Sequence, residues 1–241
     1  LMLEESNDFD KRIKNAMSFY SWCASRMIPP DRTYAKEILN SIGASQSVTD
    51  RERAQIALSY HCLSLLDVFW VKEENEKIRF EDINLFAHSL SNALVDIALR
   101  GHQMTVTNAH LLANDLSTGG LYPKAWVRKE DGFYLYKDGG RDAVEREVLA
   151  SKICRCFDCH QVLYEQGMFE NEPVSISKIM TSQRYSLVTY AAYDVYCTNH
   201  DWNTLDKILE LDAPSYYMMN ILDYLVGNTD RHWENWGLLV D

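Results

Sequence analysis

Asp230 and Asn235 stand five residues apart in the stretch Asn228-Thr229-Asp230-Arg231-His232-Trp233-Glu234-Asn235, with His232 between them. A carboxylate can orient or deprotonate an attacking hydroxyl, and an amide oxygen a few residues on can hold a metal ion bound to phosphates. That combination is what transfer of a phosphoryl group from a nucleotide requires. An imidazole two residues after the carboxylate can donate to a phosphate oxygen. Upstream, Lys137 follows the aromatic run Phe133-Tyr134-Leu135-Tyr136, and Glu147 comes ten residues later. A lysine held by a glutamate is a means of pointing one cation at a phosphate. Farther upstream, Ser117-Thr118-Gly119-Gly120 leads to Lys124, offering unencumbered backbone N–H groups beside a cation.

Specific elements must position these groups. Met218, Ile221, Leu222 and Leu225 fall at helical spacing, and Gly227 ends that helix as a residue that accepts positive φ. Trp236, Leu238 and Val240 then alternate as a short strand, so Asp230 and Asn235 occupy a tight helix-to-strand loop. Trp126 to Arg128 and Phe133 to Tyr136 alternate around Glu130-Asp131-Gly132, a hairpin signal that places Lys137 at a strand end. Asp142 to Ile153, acidic in its first turn, is predicted as a helix carrying Glu147. Glu172 to Met180 alternates as a further strand.

The order of glycine loop, strand lysine, helix glutamate and Asp/His/Asn loop is that of a kinase. GNTDRHWENWG, with STGG and the following PK, resembles HipA-like kinases over most of Leu116 to Asp241. LLDVFWVK and FEDINLF look like the same family. The Asp, His and Asn positions are also those of phosphatidylinositol kinases. The resemblance implies an α+β, two-lobed protein-kinase-like fold with a mainly helical N-terminal segment (1–105), a small lobe with glycine-rich loop and hinge strand (106–180), and the start of a helical large lobe (181–241). It implies ATP and Mg2+ as cofactors. Ser117, Thr118, Gly119, Gly120 and Lys124 would form the phosphate loop, Lys137 held by Glu147 would bind the nucleotide, and Lys178, Ile179 and Met180 would face adenine. Asp230 would be the base, His232 would contact phosphate, and Asn235 would hold magnesium. Ser117 and Thr118 are candidates for a phosphorylation that shuts the site, as in some of these kinases.

The implied activity is transfer of the γ-phosphate to a serine or threonine hydroxyl of a protein substrate, with an antitoxin or regulatory protein as a possible partner. One alternative is a lipid or small-molecule kinase of the same superfamily. The other is a catalytically incomplete nucleotide-binding module of a toxin–antitoxin type system. The chain begins at Leu1 and ends at Asp241 as a strand is under way, so a fragment is expected, with the second metal-binding aspartate beyond residue 241.

With 241 residues and 46% hydrophobic content, the chain can bury one large or two modest cores. Its net charge of −11 disfavours direct binding to nucleic acid, and the absence of a basic or greasy patch argues against a lipid surface. No apolar run reaches membrane-spanning length, and the charged start is unlike a signal peptide, so a cytoplasmic location is expected. Six cysteines fit thiols in a reducing compartment.

In the N-terminal part, helices are expected from Asn7-Asp8 to Pro29-Pro30, over Thr33 to Ile42, and from Thr49 through Leu66. The last of these carries His61 and Cys62 as a core pair. Leu66 to Val71 favours a strand or an extended packing segment, and Ile83 to Leu99 a helical or irregular one. Cys154, Cys156, Cys159 and His160 crowd one helix end without a second cluster at ligand spacing, which favours free thiols over a zinc site. Leu187 to Thr198 and Leu205 to Leu211 are predicted as helices, joined by a polar turn containing His200.

Overall fold

The computed structural model describes residues 7–27, 49–88, 124–169 and 171–241. The predicted helix over Thr33 to Ile42, most of the segment after Ile83 and the loop Ser117 to Gly120 lie outside the described residues. Those described form a mixed α+β structure with two antiparallel sheets.

Local caps set the first helices. Asp8 accepts from the Lys11 N–H at 3.0 Å and starts α1 (Phe9–Ser25). Thr49 and Glu52 exchange side-chain and backbone bonds in a capping box that starts α2 (Asp50–Ser59). This helix is shorter than expected. It ends at Ser59, and His61 and Cys62 take positive φ values of 58° and 55°. The reversal turns Leu63 and Leu65 into the core, while the His61 N–H donates to Leu58 O, its carbonyl accepts from the Val71 N–H at 2.9 Å and its Nδ1 lies 2.8 Å from Val71 O. His61 and Cys62 are therefore buried, but past the helix rather than on it.

Leu66 to Val71 joins no strand ladder and bends at Leu66 and Val68. Arg26 organises its entry: its guanidinium donates to both Asp67 oxygens at 2.9 and 2.8 Å, to Phe69 O at 3.0 Å and to Cys62 O. A buried charge is tolerated when its donors are matched in this way. A short helix, α3 (Phe80–Ile83), follows.

The larger sheet has the order β1-β2-β4-β3, built from β1 (Lys124–Lys129), β2 (Gly132–Lys137), β3 (Tyr164–Phe169) and β4 (Glu172–Lys178). The first hairpin reverses through Glu130-Asp131, and Gly132 takes a φ of 132° at the turn's exit. Helix α4 (Arg141–Cys154) connects the two hairpins and packs on β3 and β4. Trp126 and Phe133 join the core made by α1, α2 and Leu63 to Leu85. One continuous apolar cluster thus unites the helical segment with the sheet, each large buried side chain contributing roughly 1.5–3 kcal/mol.

The predicted helix from Leu187 begins later. Ser186–Thr189 forms β5, which pairs with β6 (Gly237–Val240), and α5 (Tyr190–Thr198) starts only after Thr189, whose hydroxyl accepts from the Ala192 N–H. Helix α6 (Thr204–Val226) is kinked at Asp212, where Pro214 follows and the Asp212 carboxylate caps the Ser215 N–H at 3.0 Å. Gly227, at φ 67°, closes α6 in the left-handed conformation.

Candidate functional site

Lys137 is the last residue of β2 and lies directly across the ladder from Ser175 of β4. Residues opposite one another in an antiparallel pair share a face. Glu147 comes from the second turn of α4, which packs over these strands, and accepts from Lys137 Nζ through Oε1 at 2.5 Å. The Ser175 hydroxyl donates to its other oxygen, Oε2. Ser175 is fully buried, while the lysine and glutamate side chains are 28% and 23% exposed. The ion pair is thus at the edge of solvent, where a ligand can meet it. Lys124 stands opposite Lys137 on β1, so two lysines share one face of this hairpin. The hollow beside Lys137 is lined by Gly139, Ala143, Val144 and Glu147 and measures about 80 Å3. The described residues thus enclose room for a small group such as one phosphate, against roughly 300–1,000 Å3 for whole ligand pockets.

The second group of residues is the loop after α6. Asn228 donates from its backbone to Asp223 O and from its side chain to Asp223 Oδ1, both at 2.8 Å. Arg231 donates from Nε and Nη2 to the two oxygens of the same carboxylate, each at 2.7 Å. Asp223, inside the last turn of α6, is therefore the post around which the loop is wound. Burial pushes its carboxyl up, but bonds from Arg231 and Asn228 outweigh this and leave it below the usual carboxylate range. Asp230 receives the Asn228 side-chain oxygen at its N–H, and its carbonyl accepts from His232 N and from Asn235 Nδ2.

These bonds use the backbone of Asp230 and the amide nitrogen of Asn235. The Asp230 carboxylate and Asn235 Oδ1 make no hydrogen bond among the described residues, and both residues are exposed. Carboxylate and amide oxygens are the ligand types that suit a hard cation such as magnesium. His232 is also exposed, its Nδ1 accepting from the Glu234 N–H at 3.3 Å. The far side of the loop is held by the first turn of α5, with Ala191 N donating to Trp233 O and Tyr190 N to Trp236 O.

Tyr164 of β3 lies beside the first group. Its ring lies 5.8 Å from Lys137 Nζ, and burial first, then the Glu147 charge, pushes its phenol up. Lys137 and Arg231 both pull the other way. Arg231 likewise acts on Cys154 at the end of α4, and α4 touches α6.

The remaining predicted residues are distributed as follows. Lys178 pairs with Asp131 across the hairpin tip at 2.8 Å, the Ile179 N–H donates to Phe133 O at 2.9 Å, and Met180 is exposed. Ile179 thus continues the β2–β4 ladder by one bond. Cys154, Cys156 and Cys159 are free thiols, and no cluster of metal ligands occurs among the described residues. Asp241 is held by Arg184 at 2.9 and 2.7 Å. Sequence reasoning missed Ser175, Tyr164, Asp223 and Arg231. The first two depend on strand register and the others on an ion pair between a helix and the loop after it. No family model, curated protein or solved structure matches the chain.

Proposed function

We propose that the chain is an ATP-dependent, HipA-like serine/threonine protein kinase that transfers a γ-phosphate to a protein hydroxyl. The observation that carries this reading is the ion pair between Lys137, at the end of β2, and Glu147 on the connecting helix, ahead in the chain of an exposed loop whose Asp230 carboxylate and Asn235 Oδ1 make no hydrogen bond among the described residues. In phosphoryl transfer there is little covalent work for the protein beyond positioning and charge stabilisation. Lys137 binds phosphate oxygens, with Glu147 fixing its direction. Asp230 accepts the proton of the incoming hydroxyl or orients it. Asn235 is the metal-binding residue, and His232 contacts phosphate. MgATP, when bound, supplies the phosphoryl group and the divalent charge that neutralises it. A two-lobed kinase fold is part of this proposal, with the four-stranded sheet and α4 as its small lobe and α5 and α6 opening the large lobe.

The test is incubation of the full chain with γ-labelled ATP and magnesium, with and without a generic phosphoacceptor protein, beside Asp230→Ala. Label appearing on protein in the wild type and lost in the variant supports the proposal. Thermal stabilisation by MgATP with no transfer in either favours the nucleotide-binding module instead, and transfer only to a lipid or small-molecule acceptor favours a non-protein kinase.

A further inference from the structure

A hydroxyl buried without a partner is costly, so the environment of Ser175 carries information. Ser175 has no exposed surface, lies in the middle of β4, and directs its hydroxyl to Glu147 Oε2 while Lys137 holds Oε1. Three elements, β2, β4 and α4, thereby close on one carboxylate. With both oxygens engaged from different directions, the plane of the Glu147 carboxylate is fixed, and with it the direction in which Lys137 is drawn. One helical turn farther along α4, the buried Ser151 hydroxyl accepts from the Tyr164 N–H at 2.9 Å. Residues four apart share a helix face, so α4 is bolted to β4 and β3 at successive turns, with Val144 and Val148 buried close by.

We infer that Ser175 is a positioning residue for Lys137, acting through Glu147, and that it holds α4 in the lysine-engaged position before any nucleotide arrives. This rests on the kinase reading for its consequence in nucleotide binding, but the coupling itself is a property of the protein alone. Without the Ser175 hydroxyl, Glu147 keeps one partner and can rotate about it. Lys137 then samples directions away from the phosphates.

The experiment is a double-mutant cycle with Ser175→Ala, Glu147→Gln and the pair, made in the full chain and read in two ways. The first readout needs no nucleotide: the rate at which a small amine-acetylating reagent modifies Lys137, followed by peptide mass spectrometry. Ser175→Ala raises that rate in the wild-type background and leaves it unchanged when residue 147 is already glutamine. The second is MgATP affinity. Ser175→Ala weakens it about tenfold, the order of one charge-assisted hydrogen bond, and adds nothing to Glu147→Gln. Circular dichroism and urea midpoints establish that each variant is folded, and Ser175→Thr, which keeps the hydroxyl, restores the wild-type acetylation rate. Equal effects of Ser175→Ala in both backgrounds, or no effect on Lys137 reactivity, overturn the assignment. If the wild type binds no MgATP, the kinase reading fails while the acetylation cycle still decides the role of Ser175.

Discussion

Lys137 Nζ lies 2.5 Å from Glu147 Oε1, joining the end of one strand to the middle of the helix that follows it. The two side chains are about a quarter exposed, so the pair contributes little to stability after solvent screening, on the order of 1 kcal/mol or less. Its value is directional. Glu147→Gln should therefore leave the fold intact while lowering kcat/KM for phosphoryl transfer by about 10²-fold, the cost of roughly one ångström of misplacement. Steady-state kinetics beside a urea titration check this. A variant with wild-type kinetics would remove the pair from the site.

The loop's post carries a pH signature. Asp223 sits below the ordinary carboxylate range when folded, so its contribution is fully present above the unfolded value of about 3.9 and fades as pH falls through the folded one. Asp223→Asn should cost about 1–2 kcal/mol at pH 7, discounted because Arg231 is a third exposed. Urea denaturation at pH 7 and pH 3 should show the gap between wild type and variant narrowing in acid. A gap that stays constant contradicts the assigned partnership.

Gly237 tests the other side of the loop. A Cβ there would overlap the Val188 carbonyl oxygen and come within 2.7 Å of Thr189 Cα, both backbone atoms of the paired strand. Backbone cannot swing aside as a side chain does. Gly237→Ala should destabilise by about 1–3 kcal/mol and lower transfer activity by loosening the β5–β6 ribbon into which the Asp230–Asn235 loop runs. Thermal melts and activity assays check it, and a variant with wild-type melting and activity would mean that the loop does not depend on this pairing.

What was legible in the sequence was what local chemistry determines. The capping pair Thr49 and Glu52, the Asp131-Gly132 reversal and the left-handed Gly227 each announce an element from within a few residues. Lys137 and Glu147 were legible as a pair because a strand end and a helix turn are both periodic features. β3 escaped because Glu165-Gln166-Gly167 breaks apolar alternation and its inward face is the polar-tipped Tyr164. β5 escaped because Leu187 to Val195 continues an apolar helical pattern, and only pairing with residues about fifty positions later makes Ser186–Thr189 a strand. Ser175 had no local signal at all. A serine in a strand acquires meaning from the helix that settles upon it.

The central claim is that Asp230 acts on a hydroxyl at phosphate bound beside Lys137. The most direct measurement is label transfer from γ-labelled ATP by wild type and Asp230→Ala, with MgATP affinity measured on the same samples. Transfer should fall by about 10²–10⁴-fold, the range for loss of a general base. Affinity should stay within about threefold, because the lost interaction belongs to the transition state. Equal label incorporation by the two proteins would contradict the account.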